Sequence, residues 1–284
     1  MIALAREGRA VLEEAGVPTA SRDAEVLLAH VLGRESALLH AHPEDPVPRA
    51  TEERFRRLLA RRARREPLQY LTGVQEFWSL RLRVTPAVLI PRPETEGLVE
   101  AFLGRNDRPD PLVLDIGTGS GCLAIAVAST TPGARVHATD LSEEALAVAR
   151  SNAADHRVAD RIVFHRGDLT EALRGSGLEG RADFILSNPP YIGAGELAGL
   201  APEVREHEPR GSLSPGPDPL AIHRRLARET PAYLRPGGHL IVEIGFGQEA
   251  ALRDLYGAAP RLEVVEVRPD LAGVPRVLVA RAIL

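Results

Sequence analysis

Lysine is absent from this chain of 284 residues. All 35 basic residues outside histidine are arginine, which reflects codon usage or a heat-adapted background rather than a particular chemistry. Cysteine occurs once, at Cys122, so no intrachain disulfide and no cysteine-built metal cluster can form, and a reducing compartment is expected. No apolar run reaches the length needed to span a bilayer. Arg6, Glu7 and Arg9 interrupt the N-terminal stretch where a signal peptide needs a continuous apolar core, so a soluble, cytoplasmic protein is expected. Excess positive charge is missing too: a net charge of −4 and a pI near 6.2 argue against a dedicated nucleic-acid coat protein and leave room only for a local basic patch. There are no internal repeats and no low-complexity tracts.

What is present suffices for a full α/β core and a small extra domain, since 44% of the residues are hydrophobic. Residues 1–75 read as wholly helical. Leu4, Val11, Leu12 and Ala15 predict one apolar face, stopped by Gly16 and Pro18; a second helix begins near Ser21 and ends at Gly33. A third, Thr51 to Arg65, is unusually basic: between Arg49 and Glu66 eight arginines face three glutamates, an excess of +5, over a thin seam of Phe55, Leu58 and Leu59. Such a segment is either a solvated helix face or a docking surface. Alternation across residues 68–90 predicts a β-hairpin, with a linker at 76–90 between the helical domain 1–75 and a larger domain 91–284. From residue 112 onward strands and helices alternate: strand 112–116, helix from 120, strand 135–139, helix 142–154, strands 161–165 and 182–187, helix 218–234, strand 238–244. That rhythm predicts a doubly wound, mostly parallel sheet. The segments 262–267 and 277–282, joined by a short connection, predict an antiparallel pair at its edge.

Two loops of this pattern carry chemistry. Strand 182–187 runs into Asn188-Pro189-Pro190-Tyr191, where the prolines hold the backbone extended, so that its carbonyls and the Asn188 amide oxygen face outward beside an aromatic ring. That arrangement is a receptor for a planar NH₂ group, although Asn-Pro and Pro-Pro also mark ordinary turns. Upstream, the strand 112–116 enters Gly117-Thr118-Gly119-Ser120-Gly121 and then a helix, a geometry that brings backbone N–H groups close to a ligand. Asp140 ends the next strand, where a carboxylate can take both hydroxyls of a ribose, and Asp168 with Leu169 ends the third, where they can hold an adenine by its amine and one apolar face. Ligands of such sheets lie beyond the carboxyl ends of the strands where strand order reverses; if the first and fourth strands flank that point, the two loops share one crevice. The glycine spacing alone does not separate a nicotinamide cofactor from S-adenosylmethionine. Glu206-His207-Glu208 is not assigned a metal, because three consecutive residues rarely converge on one ion. The segment Glu203 to Arg210 is expected as a loop closing over the substrate.

At this point the chain resembles the class I S-adenosylmethionine-dependent methyltransferases, and within them the bacterial protein-glutamine methyltransferases that act on peptide chain release factors. The resemblance covers nearly the whole length. It rests on Ile90-Pro91-Arg92-Pro93-Glu94-Thr95-Glu96, on Asp115 to Gly121, on Ser187 to Tyr191, on Glu203 to Arg210 and on the helical N-terminal domain. Gly97, Trp78 and His207 depart from the residues usual in that family. The resemblance implies a seven-stranded sheet and S-adenosylmethionine lined by Gly117, Thr118, Gly119, Ser120 and Gly121. Asp140 would sit on its ribose, Asp168 and Leu169 on its adenine, with Asn188 at the same site. It further implies that Asn188, Pro189, Pro190 and Tyr191 bind the substrate amide, with Asn188, Pro189 and Tyr191 acting in catalysis. A release factor as partner, no membrane, no required nucleic acid and a monomeric state complete the expectation.

Two other function classes compete. Adenine amino-methyltransferases of DNA or RNA share the Asn-Pro-Pro-Tyr motif, but base modification calls for a sizeable recognition region and a flipping pocket, and only a small helical domain is on offer. A non-catalytic nucleoside-binding protein has no need of an intact asparagine motif opposite an intact glycine loop.

Overall fold

The computed structural model describes residues 1–283 and divides the chain into two compact units, Met1–Val74 with Ala201–His207, and Gln75–Leu200 with the chain from Glu208 onward. The first unit opens with α1 (Ile2–Glu14), α2 (Ala20–Leu32), α3 (Ala37–Ala41), α4 (Arg49–Ala63) and α5 (Leu68–Thr72). α1 buries Leu12 together with Ala5 and Gly8, and Leu4 and Ala15 pack against the same cluster; of the expected face only Val11, 43% exposed, points away. Gly8 adds a contact that was not expected. A Cβ there would lie 2.7 Å from the Phe55 ring of α4, so the helices cross at a residue that carries no apolar signal. α5 occupies the start of the expected hairpin; Pro67 precedes it, and Gly73, at φ 75°, ends it in the left-handed conformation.

In the second unit the hairpin is β1 (Val74–Phe77) and β2 (Leu80–Arg83), turning at Trp78 and Ser79, both at positive φ. Its Phe77 and Leu82 are buried in the same cluster as Leu98 and Phe102, so it is core rather than a free connector. There follow α6 (Glu96–Leu103), β3 (Leu112–Ile116), α7 (Cys122–Thr130), β4 (Arg135–Asp140), α8 (Glu143–Asp155), β5 (Ile162–Arg166) and β6 (Ala182–Ser187). α9 (Pro202–His207) counts with the first unit, and the second resumes with α10 (Arg210–Leu213), α11 (Ala221–Glu229), β7 (Leu234–Glu243), α12 (Glu249–Gly257), β8 (Leu262–Pro269) and β9 (Pro275–Ala282).

The sheet has seven strands in the order β5-β4-β3-β6-β7-β9-β8; the first five run parallel and β9 is antiparallel to both β7 and β8. The antiparallel pair expected at the edge is there, with β9 inserted inside β8. Burial explains the order, since Val277 to Ala280 are buried in succession and need cover on both faces, whereas β8 alternates and tolerates an edge. α6, α7 and α8 cover one face of the sheet and α11 and α12 the other. α12 was not among the elements expected from the sequence. Among the described residues no helix is long and apolar enough to cross a membrane.

The segment expected as a substrate-covering loop is instead helical over most of its length, as α9 and the start of α10. Within the first unit Arg62, 4% exposed, donates to Asp23 at 2.7 Å, to Glu203 of α9 at 2.9 Å and to the Glu66 carbonyl at 3.3 Å. Arg65 grips the same Glu203 with two hydrogen bonds, at 2.7 and 2.8 Å. Burial opposes ionisation of Glu203, but the hydrogen bonds from Arg65 and Arg62 outweigh it and hold the carboxyl at about 2. That stabilisation is complete above the ordinary glutamate range and is lost as pH falls from there towards 2. Removing Arg62 leaves the buried Asp23 carboxylate without its ion-pair partner, while Glu203 keeps Arg65, and Arg62→Ala is expected to cost about 3–5 kcal/mol. Urea unfolding followed by far-ultraviolet circular dichroism checks this; a loss below about 1 kcal/mol would place the pair with ordinary surface ion pairs.

Candidate active site

β3 and β6 are hydrogen-bonded neighbours, with Val113 opposite Phe184 and Asp115 opposite Leu186. They flank the point where the strand order reverses, so the loops that leave their carboxyl ends emerge side by side. The Ser187 hydroxyl donates to the Ile116 carbonyl at 2.7 Å and ties the two strand ends together. A crevice of about 180 Å³ opens there, and its walls include Gly117, Gly119, Asp140, Asp168, Leu169, Asn188, Pro189 and Pro190.

The glycine loop is pinned from below by Gly117 and Thr118, whose N–H groups both donate to the Thr139 carbonyl at 2.9 Å. At Gly117 and Gly119, with φ of 79° and 55°, an added Cβ would meet no protein atom within 4 Å; the backbone there faces open space. Gly121 serves packing, since a Cβ there would crowd Ile125 and Ala149 at 3.0 and 3.1 Å, where α7 meets α8. Thr118 and Ser120 are buried and do not line the crevice. Asp140 accepts the Gly119 N–H and the Ser142 N–H, both at 2.9 Å, so its carboxylate is held rigidly at the end of β4 with lone pairs to spare. Asp168 is gripped by Arg225 of α11, one guanidinium nitrogen lying 2.9 Å from each carboxylate oxygen. Leu169 beside it sits at φ 50°, a left-handed conformation that a leucine rarely adopts.

On the other wall Asn188 donates through Nδ2 to the Thr95 hydroxyl at 3.0 Å. Tyr191 is not part of the wall: its hydroxyl lies 3.1 Å from Glu243, and its carbonyl accepts from Gln248 at 2.9 Å. Burial pushes the Glu243 carboxyl above its ordinary range, against hydrogen bonds from Thr95 and Tyr191 that favour the charged form. Several residues that shape this region escaped the sequence reading. Leu141, Gly211, Ser212 and Ile222 line the crevice from segments that carry no motif, and Leu89 lines it just before the Ile90 to Glu96 stretch. Thr95 and Glu243 lie in recognisable stretches, but their tie to Asn188 exists only in three dimensions.

A family model described as PrmC N-terminal domain matches residues 3–73, and one described as Methyltransferase small domain matches residues 95–201. A release factor glutamine methyltransferase of Cereibacter sphaeroides is 48% identical over 95% of this chain and 94% of its own length, and one of Bordetella pertussis is 46% identical over 94% and 96%. The chain belongs to the release factor glutamine methyltransferase family. Among solved structures, a methyltransferase of Pyrococcus furiosus shares the fold at a TM-score of 0.54, with 19% identity over 79% of this chain and 99% of that one.

Beneath the glycine loop of this methyltransferase lies a fully buried acid. Asp115 Oδ2 accepts from the Thr118 hydroxyl at 2.6 Å and from Ala124 N–H at 3.2 Å, while Oδ1 has no partner among the described residues. Burial pushes its carboxyl up to about 7; the hydrogen bonds from Thr118 and Ala124 pull the other way, and the Asp140 charge adds to the rise. A carboxyl raised in the fold gives stability that is complete below its unfolded value and is lost as pH rises towards 7. Between pH 5 and pH 8 the wild type is therefore expected to lose more stability than Asp115→Asn, whose isosteric amide does not ionise. Thermal melts of both proteins at the two pH values decide it, and parallel profiles would refute the assignment.

Proposed function

We propose that the crevice at the ends of β3 and β6 binds S-adenosylmethionine beside a glutamine of a peptide chain release factor, whose side-chain amide nitrogen this enzyme methylates. The observation that carries the reading is the meeting, in one crevice, of an open-faced glycine loop and an outward-facing Asn-Pro-Pro segment. S-adenosylmethionine supplies a methyl group on a sulfonium sulfur, which leaves easily. The backbone at Gly117 and Gly119 has room for its methionine part; Asp140 takes the ribose hydroxyls; Asp168, held by Arg225, and Leu169 frame the adenine.

A glutamine amide nitrogen is a poor nucleophile because its lone pair is conjugated. Asn188 Oδ1 and the Pro189 carbonyl accept its two hydrogens, turn the nitrogen towards the methyl group and stabilise the positive charge that grows on it. Pro190 keeps the segment extended, and Tyr191 anchors its far end. The methyl carbon exchanges its bond to sulfur for one to nitrogen, the sulfur keeps the bonding pair and leaves as a neutral thioether, and the nitrogen then loses one of its protons to water; with so good a leaving group no strong base is required. A cytoplasmic monomer that needs no nucleic acid belongs to the same proposal.

Purified release factor incubated with enzyme and S-adenosylmethionine should gain the mass of one methylene on a glutamine, read by peptide mass spectrometry. Asn188→Ala should keep its affinity for S-adenosylmethionine and lose about 100-fold or more in turnover, the usual effect of removing one pre-placed polar group at a reacting centre. Unchanged turnover in that variant would overturn the site assignment.

The basic helix is less cationic than its sequence. Arg56 pairs with Glu52 and Glu7, Arg49 with Glu53, Arg61 with Glu66, and Arg62 and Arg65 with Asp23 and Glu203 as above. Eight arginines against six carboxylates leave +2 where the sequence alone counts +5. Arg54 and Arg57 of α4 and Arg64 just beyond its end, all three exposed, carry the remaining excess and are the part of this surface suited to an acidic patch on the protein substrate. Changing all three to glutamate should slow methylation of intact release factor, more strongly at low salt, and leave a short glutamine peptide nearly unaffected. Equal losses on both substrates would make the three arginines structural.

A further inference from the structure

Glu243 is the last residue of β7 and is 1% exposed, as is Thr95 in the short turn before α6. Two hydroxyls approach the two oxygens of the Glu243 carboxylate: Thr95 Oγ1 lies 2.6 Å from Oε2, and the Tyr191 hydroxyl lies 3.1 Å from Oε1. Both hydroxyls donate to it, one to each oxygen. A threonine hydroxyl has one proton. Once that proton is directed at Glu243, the oxygen has only lone pairs left for its other neighbour, the Asn188 side chain at 3.0 Å. Lone pairs tolerate an amide NH₂ there and repel an amide oxygen. The orientation of the Asn188 amide, which its own shape leaves ambiguous, is thus decided two residues away: Nδ2 against Thr95, Oδ1 turned from it.

We infer that Glu243, acting through Thr95, is a positioning residue that fixes Asn188 with its amide oxygen, and not its NH₂, offered to the substrate. The inference rests on the reading of Asn188 as the acceptor for the glutamine amide. Without the relay the Asn188 side chain can turn over and present a donor to a substrate group that is itself a donor, a repulsive pairing. The same carboxylate holds the other end of the motif through Tyr191, whose carbonyl is also fixed by Gln248, and Gln248 is in turn oriented by the Gly245 N–H at 3.0 Å. Asn188 and Tyr191, three peptide bonds apart, therefore hang from one acid.

The test compares Thr95→Val, which keeps the shape and removes the hydroxyl, with Thr95→Ser, which keeps the hydroxyl and removes the methyl. The relay predicts a fall in kcat of about tenfold for Thr95→Val, the worth of one hydrogen bond, with S-adenosylmethionine affinity unchanged; Thr95→Ser stays close to wild type. A purely packing role predicts the reverse order. In the double variant Thr95→Val with Asn188→Ala, turnover should be no lower than in Asn188→Ala alone, because Thr95 acts only through Asn188. If Asn188→Ala is slow while Thr95→Val matches wild type, or Thr95→Ser is as slow as Thr95→Val, the relay is wrong and the role of Asn188 stands. If Asn188→Ala itself keeps full turnover, the reading on which the relay rests is what fails. Should Thr95→Val not bind S-adenosylmethionine, Thr95→Ala against Thr95→Ser makes the same comparison.

Discussion

The parallel pairing of β3 with β6 is the constraint on which the site depends. Each strand alone delivers an ordinary loop; paired in this register, with Asp115 opposite Leu186, they place a glycine turn and an Asn-Pro-Pro segment at one level. A slip of two residues keeps every side chain on its proper face but displaces one loop against the other by about 7 Å, enough to separate the motifs. The Ser187 hydroxyl on the Ile116 carbonyl locks the strand ends at the point where such a slip would be most damaging. β3 and β6 are buried on both faces, β6 along its whole length, so the pairing is also the centre of the hydrophobic core.

The central strands were legible because a strand buried on both faces writes itself as a short, largely apolar run between turn signals: 112–116 and 182–187 match β3 and β6 residue for residue. Motifs fixed to such strands inherit that clarity, which is why the glycine loop and Asn188 were expected to share one crevice if their strands are neighbours. What escaped was decided by tertiary contacts. Gly8 is a contact residue because nothing larger fits against Phe55, and an apolar count passes over it. The hairpin turns at Trp78 and Ser79, two non-glycine residues held at a positive φ that such residues rarely adopt, and Trp78 N–H is caught by the Glu96 carboxylate at 2.7 Å. α9 and α10 read as loop because their apolar content is small; charged groups hold this stretch, Glu203 by Arg62 and Arg65, and Glu208, just after α9, by Arg92 and the Ile90 N–H.

The absence of lysine leaves its mark in these networks. Arg62 serves Asp23, Glu203 and a backbone carbonyl at once, and Arg225 holds Asp168 while reaching Glu229 at 3.1 Å. A planar fork with five N–H donors can divide itself among several acceptors while remaining charged, which a single ammonium on a flexible stem does less well. The consequence runs against simple charge counting. The most basic stretch of the sequence is largely spent on internal carboxylates, some of them remote in the chain, and what remains of its charge rests on three exposed arginines.

Glu243 shows why a buried acid persists in a unit that gains most of its stability from apolar packing. Desolvation raises the energy of its charged form, and an apolar residue of similar volume would fill the space at lower cost. The hydroxyls of Thr95 and Tyr191 offset part of that penalty, and the positive charge of Arg276 on β9 offsets a smaller part. Yet none of these contacts adds what an apolar residue would add in stability. What they add is direction: a carboxylate is an acceptor on every side, and an acceptor facing two hydroxyls fixes where both protons point. Through Thr95 that choice reaches the Asn188 amide, whose two ends differ by little in size and by everything in hydrogen-bonding sense. The second unit therefore gives up some stability at the end of β7 to hold one side chain in one of its two orientations.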